Sequence, residues 1–221
     1  MTNLGQAERR KFAELEGWLC EPQSSRPKRL VVLLHGWGAD ARDLASLSAP
    51  LAEHLPDTAF FAADAKDVCA ANPFGRQWFD IEDRRAGPDY ALQTITPMLA
   101  ALQQAFDLPA KATGLAGFSQ GGMMTLAAAC VQPSPVAAAV SFSGALLNPD
   151  RLVAAGPDSP PVLLIHGDLD AVVPPAALPA AQQQLTAAGW QVEAEMRPAL
   201  GHGIDADGIT LAGRFLARHL D

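Results

Sequence analysis

The chain has little positive charge to spare. Its 16 lysines and arginines face 24 aspartates and glutamates, for a formal net charge of −8. A nucleic-acid or anionic-membrane surface needs a clustered basic face, so this balance argues against both partners. The one short basic cluster, Arg26-Pro27-Lys28-Arg29, reads as a solvated turn ahead of a strand. Cysteine is scarce too. Cys20, Cys69 and Cys130 show neither CxxC pairing nor metal-ligand spacing. Three scattered cysteines fit a reducing compartment better than a disulfide framework. A long uncharged apolar run is also missing, which excludes a membrane-spanning helix. The opening residues MTNLGQAERRKFAELEG carry charges where a secretion signal needs an apolar core. The expectation is a cytoplasmic protein with no stable membrane association and no nucleic-acid partner.

What is present is apolar residue in ordered blocks. Hydrophobic residues make up 49% of the 221 positions, enough for a substantial core in one domain over 1–221. Near-continuous apolar runs at 29–36, 58–64, 112–119, 136–144 and 161–168 read as buried strands. QVEAEMR (191–197) alternates apolar and polar residues, as an edge strand does, and residues 8–20 read as a further N-terminal strand. Between them, 41–54, 88–106, 121–131, 175–188 and 205–220 read as helices, and 64–87 and 145–160 as loops. Strand–helix alternation with apolar strands predicts a mostly parallel central sheet with helices on both faces.

One stretch carries chemistry. Gly117-Phe118-Ser119-Gln120-Gly121 matches G-x-S-x-G, after a strand and before a helix. In that setting a serine occupies a tight, strained turn that lifts its hydroxyl clear of the sheet edge. The helix that follows offers N–H groups and the positive end of a dipole to a developing oxyanion. The alternative is a plain glycine-rich turn, and it weakens as partners for the serine appear.

A serine nucleophile needs a base. His54 and His219 lie in helical patterns beside charged residues and read as solvated; His35 and His166 end strands and read as residues that order their loops. His202 in ALGHGID lies between two glycines, past the last strand and before the last helix. The orienting carboxylate is Asp168 or Asp170 of HGDLDAVVP, and the spacing leaves both open. The order Ser, Asp, His, with each at a strand's carboxyl end, is that of an α/β-hydrolase triad. An oxyanion hole needs two amides. Gln120, after the nucleophile, supplies one and Trp37, in the glycine-rich loop HGWGAD, the other.

Taken together, LLHGWGAD, GFSQGGMM, HGDLDAVVP, GHGI and the W-[FY]-D segment in RQWFDIED resemble the carboxylesterase/phospholipase branch of the α/β-hydrolases. The branch includes acyl-protein thioesterases and small bacterial carboxylesterases, and the matches run from about residue 30 to the C-terminus. The resemblance implies an α/β-hydrolase fold. It implies Ser119 as nucleophile, His202 as base and Asp170, the second aspartate of HGDLD, as acid. It also supports the Trp37 and Gln120 amides as the oxyanion hole. The related dienelactone hydrolases use a cysteine, and Ser119 speaks against that assignment.

The expected reaction is hydrolysis of a short- or medium-chain acyl ester through an acyl-enzyme. Sixteen residues, 145–160, separate the strands at 136–144 and 161–168, too few for a large lid. Trp37, Trp78, Phe79 and Met123 are read as lining an acyl groove; Trp78 and Phe79 read equally well as anchors of a long loop. Two alternatives stay open: a narrower acyl-protein thioesterase or lysophospholipase, and a catalytically silent binding protein on the same fold. No metal or cofactor is implied. A small-molecule ester or thioester is the expected ligand, and a homodimer through apolar loop surface is compatible with the sequence.

Overall fold

The computed structural model describes residues 4–23 and 26–221. Residues 8–20, read as one strand, form a hairpin instead. β1 (Glu8–Phe12) and β2 (Leu15–Cys20) pair antiparallel, with Phe12 opposite Leu15. The turn passes through Ala13, which takes a left-handed φ of 52°. β1 is the outer strand of the sheet, and its exposed Glu8, Arg9, Arg10 and Lys11 disfavour pairing with another chain at that edge.

The apolar runs become the sheet interior. In β3 (Arg29–Leu34), Leu30, Val32 and Leu34 pack into one core cluster while Val31 and Leu33 pack into the other. A strand sends successive side chains to opposite faces, so a run apolar at every position is one covered on both sides. The sequence at 41–54 gives two short helices, α1 (Ala41–Ala45) and α2 (Ser48–Ala52), rather than one. Pro50 is the reason. In a continuous helix its ring would clash with the carbonyl of Ser46, and it has no N–H to donate there. The Asp40 carboxylate caps α1 by accepting from the Arg42 amide at 2.8 Å. β4 (Thr58–Ala63) follows, fully buried.

The stretch 64–87, read as loop, contains a second hairpin of β5 (Asp67–Cys69) and β6 (Asn72–Gln77). It is stitched to the loop after β3: Gly38 N–H donates to the Arg76 carbonyl at 2.9 Å and Arg76 N–H to that of Ala39 at 2.7 Å. Gly75 makes this approach possible, because a Cβ there would collide with the Gly38 carbonyl.

The remainder alternates as expected: α3 (Gly87–Phe106), β7 (Thr113–Phe118), α4 (Gln120–Ala129), β8 (Ala138–Phe142), β9 (Val162–Gly167), α5 (Ala177–Ala187), β10 (Val192–Arg197) and α6 (Ala206–His219). The eight-stranded sheet runs β1-β2-β4-β3-β7-β8-β9-β10 and is parallel from β4 to β10. Side chains of α3, α4 and α5 fill one face and those of α1, α2 and α6 the other. No large lid is built onto it; the segment between β8 and β9 holds one 3-10 turn, Pro149–Arg151. The chain leaves β3 toward β4 on one side and later returns to β7 on the other. That reversal opens a crevice at the carboxyl ends of β3 and β7, where open α/β sheets bind their ligands.

Two histidines depart from the sequence reading. His54 is half-buried against Gly213 of α6, where a Cβ would sit 2.5 Å from its ring. The buried Nε2 of His219 has no hydrogen-bond partner among the described residues, and burial pushes its proton affinity down. The basic cluster is solvated as read at Arg26 and Lys28, which stay exposed while they reach Asp107 and Asp57; Arg29 is half-buried and donates to the Leu220 carbonyl. No helix among the described residues is long and apolar enough to cross a membrane.

Candidate active site

Ser119 stands at the turn between β7 and α4 with φ 54° and ψ −116°, a conformation that costs a non-glycine residue energy. Neighbouring strands hold it there. Its N–H donates to the Phe142 carbonyl at 2.8 Å, and its carbonyl accepts from Met123 N–H at 3.0 Å as α4 begins. The two flanking glycines are steric necessities. A Cβ on Gly117 would strike the Gly121 carbonyl, and one on Gly121 would strike that of Leu34.

The hydroxyl faces His202. The Nε2 of His202 lies 3.0 Å from Ser119 Oγ, and its Nδ1 lies 2.7 Å from Asp170 Oδ2. Phe118 packs against the imidazole at a centroid distance of 4.8 Å. Asp168, the other sequence candidate, is exposed, whereas the Asp170 side chain is fully buried. The turn after β9 explains the difference: Leu169 N–H donates to the Leu200 carbonyl at 2.9 Å, docking the turn on the loop that carries His202. Asp170 Oδ1 accepts from the amides of Val172 and Val173 at 2.8 and 2.9 Å. Burial pushes this carboxyl up, but the hydrogen bonds from His202 and the two valine amides outweigh it and hold it below its ordinary value.

The amides of Trp37 and Gln120 take no protein acceptor among the described residues, and both residues line the cleft that contains Ser119. The loop bearing Trp37 is braced from several sides. His35 is buried, its Nδ1–H donates to the Gly36 carbonyl at 2.7 Å and its Nε2 accepts from Ala65 N–H at 3.1 Å. Burial pushes its proton affinity down, so it is a neutral strut with both ring nitrogens engaged.

The groove differs from the sequence expectation at two positions. Trp78 and Phe79 are 2% and 1% exposed and do not line the cleft. Trp78 Nε1–H donates to the His35 carbonyl at 2.9 Å. The Gln120 side chain clamps the same segment, accepting from Trp78 N–H at 2.9 Å and donating to the Phe79 carbonyl at 2.8 Å. The aromatic pair therefore anchors the loop to the turn that carries Ser119. Trp78→Ala is expected to cost about 3–5 kcal/mol of stability, as buried aromatic truncations do. Urea unfolding reads that loss. The order of acyl-chain preference should stay unchanged, and a selective loss of the longest esters would instead place Trp78 in the groove.

Met123 and Trp37 do line the cleft, which has a volume of about 330 Å3. Ile81, Val172 and Val173 extend its apolar wall, and Arg84 and Asp43 bring charge to it. Sequence reading missed these residues because they come from three separate segments, α1, the loop at 81–84 and the turn at 172–173, and none carries a motif of its own. Among the described residues no group of three or more His, Cys, Asp or Glu side chains is placed to hold a metal ion. Burial pushes the Cys130 thiol up to about 12, which keeps it protonated near neutrality.

Known proteins share this architecture. The profile of the family described as phospholipase/carboxylesterase matches residues 18–220. Esterase YpfH of Escherichia coli (strain K12) is 30% identical over 183 residues, covering 80% of this chain and 77% of its own. The crystal structure of esterase PE8 is 40% identical, covers 93% of this chain and 99% of its own, and superposes with a TM-score of 0.87. A carboxylesterase from Mesorhizobium loti is 19% identical with a TM-score of 0.78, covering 96% of this chain and 99% of its own, and shares the fold. With a family match over nearly its whole length, the chain belongs to the phospholipase/carboxylesterase family of α/β-hydrolases and is a hydrolase acting on ester bonds.

Proposed function

We propose that the protein is a serine carboxylesterase that cleaves short- to medium-chain acyl esters through an acyl-enzyme, with Ser119 as nucleophile. The observation that carries the reading is the single imidazole of His202 bridging Ser119 Oγ at 3.0 Å and Asp170 Oδ2 at 2.7 Å. His202 Nε2 takes the hydroxyl proton as Oγ attacks the ester carbonyl carbon. Asp170 holds the Nδ1–H tautomer and stabilises the imidazolium that forms. The carbonyl oxygen becomes an oxyanion facing the amides of Trp37 and Gln120; losing one such donor typically costs roughly 3–4 kcal/mol. The intermediate collapses, the acyl carbon–oxygen bond breaks, and the imidazolium protonates the departing alkoxide. A water then repeats the attack on the acyl-enzyme, giving its proton to His202 and releasing the acid.

The size of the cleft supports the chain-length preference. Its volume of about 330 Å3 stands at the small end of ligand cavities, roughly 300–1,000 Å3. The wall of Met123, Ile81, Val172 and Val173 suits an acyl chain rather than a charged one. A panel of p-nitrophenyl esters from acetate to palmitate, run beside one acyl thioester, one lysophospholipid and one acylated peptide, tests the assignment. The reading predicts a maximum in kcat/KM at a short or medium ester and a steep fall at palmitate. A higher kcat/KM on the lysophospholipid or acylated peptide than on every simple ester would replace it with one of the narrower activities.

A further inference from the structure

The acid of the candidate triad is faced by two imidazoles. Besides His202, His166 at the end of β9 places Nε2 3.2 Å from Asp170 Oδ2 and 2.9 Å from the Val173 carbonyl. Both neighbours are hydrogen-bond acceptors, so Nε2 carries a hydrogen; it is donated to the Val173 carbonyl, and the N–H edge of the ring lies beside Oδ2. The imidazole is 2% exposed and the carboxylate fully buried, so neither has water as a substitute partner. Asp170 Oδ1 accepts from the Val172 and Val173 amides and Oδ2 from His202, while the N–H edge of His166 stands 3.2 Å from Oδ2.

We propose that His166 is a positioning residue for this site, pinning the Asp170 carboxylate and the 170–173 turn together so that Oδ2 stays directed at His202 Nδ1. The proposal rests on the triad reading above and goes beyond it, because His166 touches neither Ser119 nor the cleft. Its hydrogen bond to the Val173 carbonyl gives it a wider reach. Val173 carries one of the amides that hold Oδ1, and the side chains of Val172 and Val173 line the cleft. One ring therefore fixes the acid, the turn that supplies two of the acid's donors, and part of the substrate wall. The groups facing Asp170 are these two imidazoles and two amides; among the described residues no lysine or arginine nitrogen lies within 4.0 Å of its oxygens.

Three substitutions test this. Gln carries an N–H close to the position of imidazole Nε2, Asn carries one nearer Nδ1, and Leu carries none. His166→Leu is expected to lower kcat on a short p-nitrophenyl ester about tenfold, the upper weight of a hydrogen bond between neutral groups, here the one that holds the 170–173 turn. KM should change less than threefold or so, since no substrate contact is lost. His166→Gln should recover most of kcat and His166→Asn should not. A carboxylate that loses the N–H edge beside Oδ2 binds a proton more readily, so the acid limb of kcat/KM should move to higher pH in the Leu and Asn variants and return in the Gln variant. Thermal unfolding of each variant is measured alongside. If the Leu variant does not fold, the Gln–Asn comparison decides, since both are polar and differ in where the donor sits. Equal kcat in all folded variants, or losses that track unfolding temperature with no difference between Gln and Asn, would overturn the proposal. Ser119→Ala is run in parallel. Full activity there overturns the triad reading and this proposal with it, whereas an inactive Ser119→Ala beside an unaffected His166 series overturns this proposal alone.

Discussion

Ser119→Ala is expected to lower kcat/KM on a short acyl ester by ~10^4-fold or more and to abolish covalent labelling by a fluorophosphonate. The size follows from what the hydroxyl does in the proposed reaction. It supplies the only bond through which the acyl group becomes attached to the protein. Without it, the remaining groups can do no more than orient water beside the Trp37 and Gln120 amides. The fold should not register the change. Alanine keeps the Cβ, so the backbone at φ 54° is under the same steric demand as with serine. The lost hydroxyl has a single side-chain partner, His202 at 3.0 Å, so stability should shift by about 1 kcal/mol or less. Stoichiometric phosphonylation of the alanine variant, or hydrolysis at an unchanged rate by well-folded protein, would move the nucleophile elsewhere.

Much of this arrangement is legible in the sequence because it is local. G-x-S-x-G announces its own turn: the two glycines and the serine enforce a close approach within five residues, and the collisions that Gly117 and Gly121 avoid confirm the steric logic. The strands are legible because both faces of the sheet are covered, which turns alternation into continuous apolar runs such as Leu30–Leu34. The break between α1 and α2 is legible in principle, since Pro50 stands where one longer helix would need an N–H.

What escapes the sequence is decided by partners far away in the chain. The β5–β6 hairpin has short strands interrupted by Pro73 and Gly75, and its support comes from the loop around Gly38. Trp78 and Phe79 look the same in sequence whether they line a groove or fill a core. Their burial depends on the Gln120 side chain, which reaches them across more than 40 positions. Asp168 and Asp170 are chemically identical and two residues apart. Only the docking of Leu169 on Leu200 turns one outward and the other toward His202. His166 reads correctly as a residue that orders its loop. Its contact with the acid depends on the turn curling back through Val173, which no periodicity encodes.

Asp170→Asn should lower kcat by about 10^4-fold while leaving the fold in place, although the side chain keeps its size and shape. The cause is direction of donation. Asp170 Oδ2 accepts from His202 Nδ1 and faces the N–H of His166, while Oδ1 accepts from two amides. An asparagine keeps its oxygen on the two amides and so turns its NH2 toward both imidazoles. His202 must then accept at Nδ1, which moves its hydrogen to Nε2 and points it at Ser119. In that tautomer the ring has no lone pair for the hydroxyl proton, and the base is lost with the geometry preserved. The stability consequence has a definite sign. Because the folded-state carboxyl lies below its ordinary value, its ionised form contributes stability in full above the unfolded value. That contribution is lost as pH falls through the folded value. The asparagine variant lacks this dependence, so its stability deficit against the parent chain should be widest near neutrality and narrow in acid. Urea midpoints at a series of pH values, set beside kcat for Asp170→Asn and for the exposed control Asp168→Asn, measure both effects. A kcat for Asp170→Asn within tenfold of the parent, or an equal loss at position 168, would remove Asp170 from the role assigned to it.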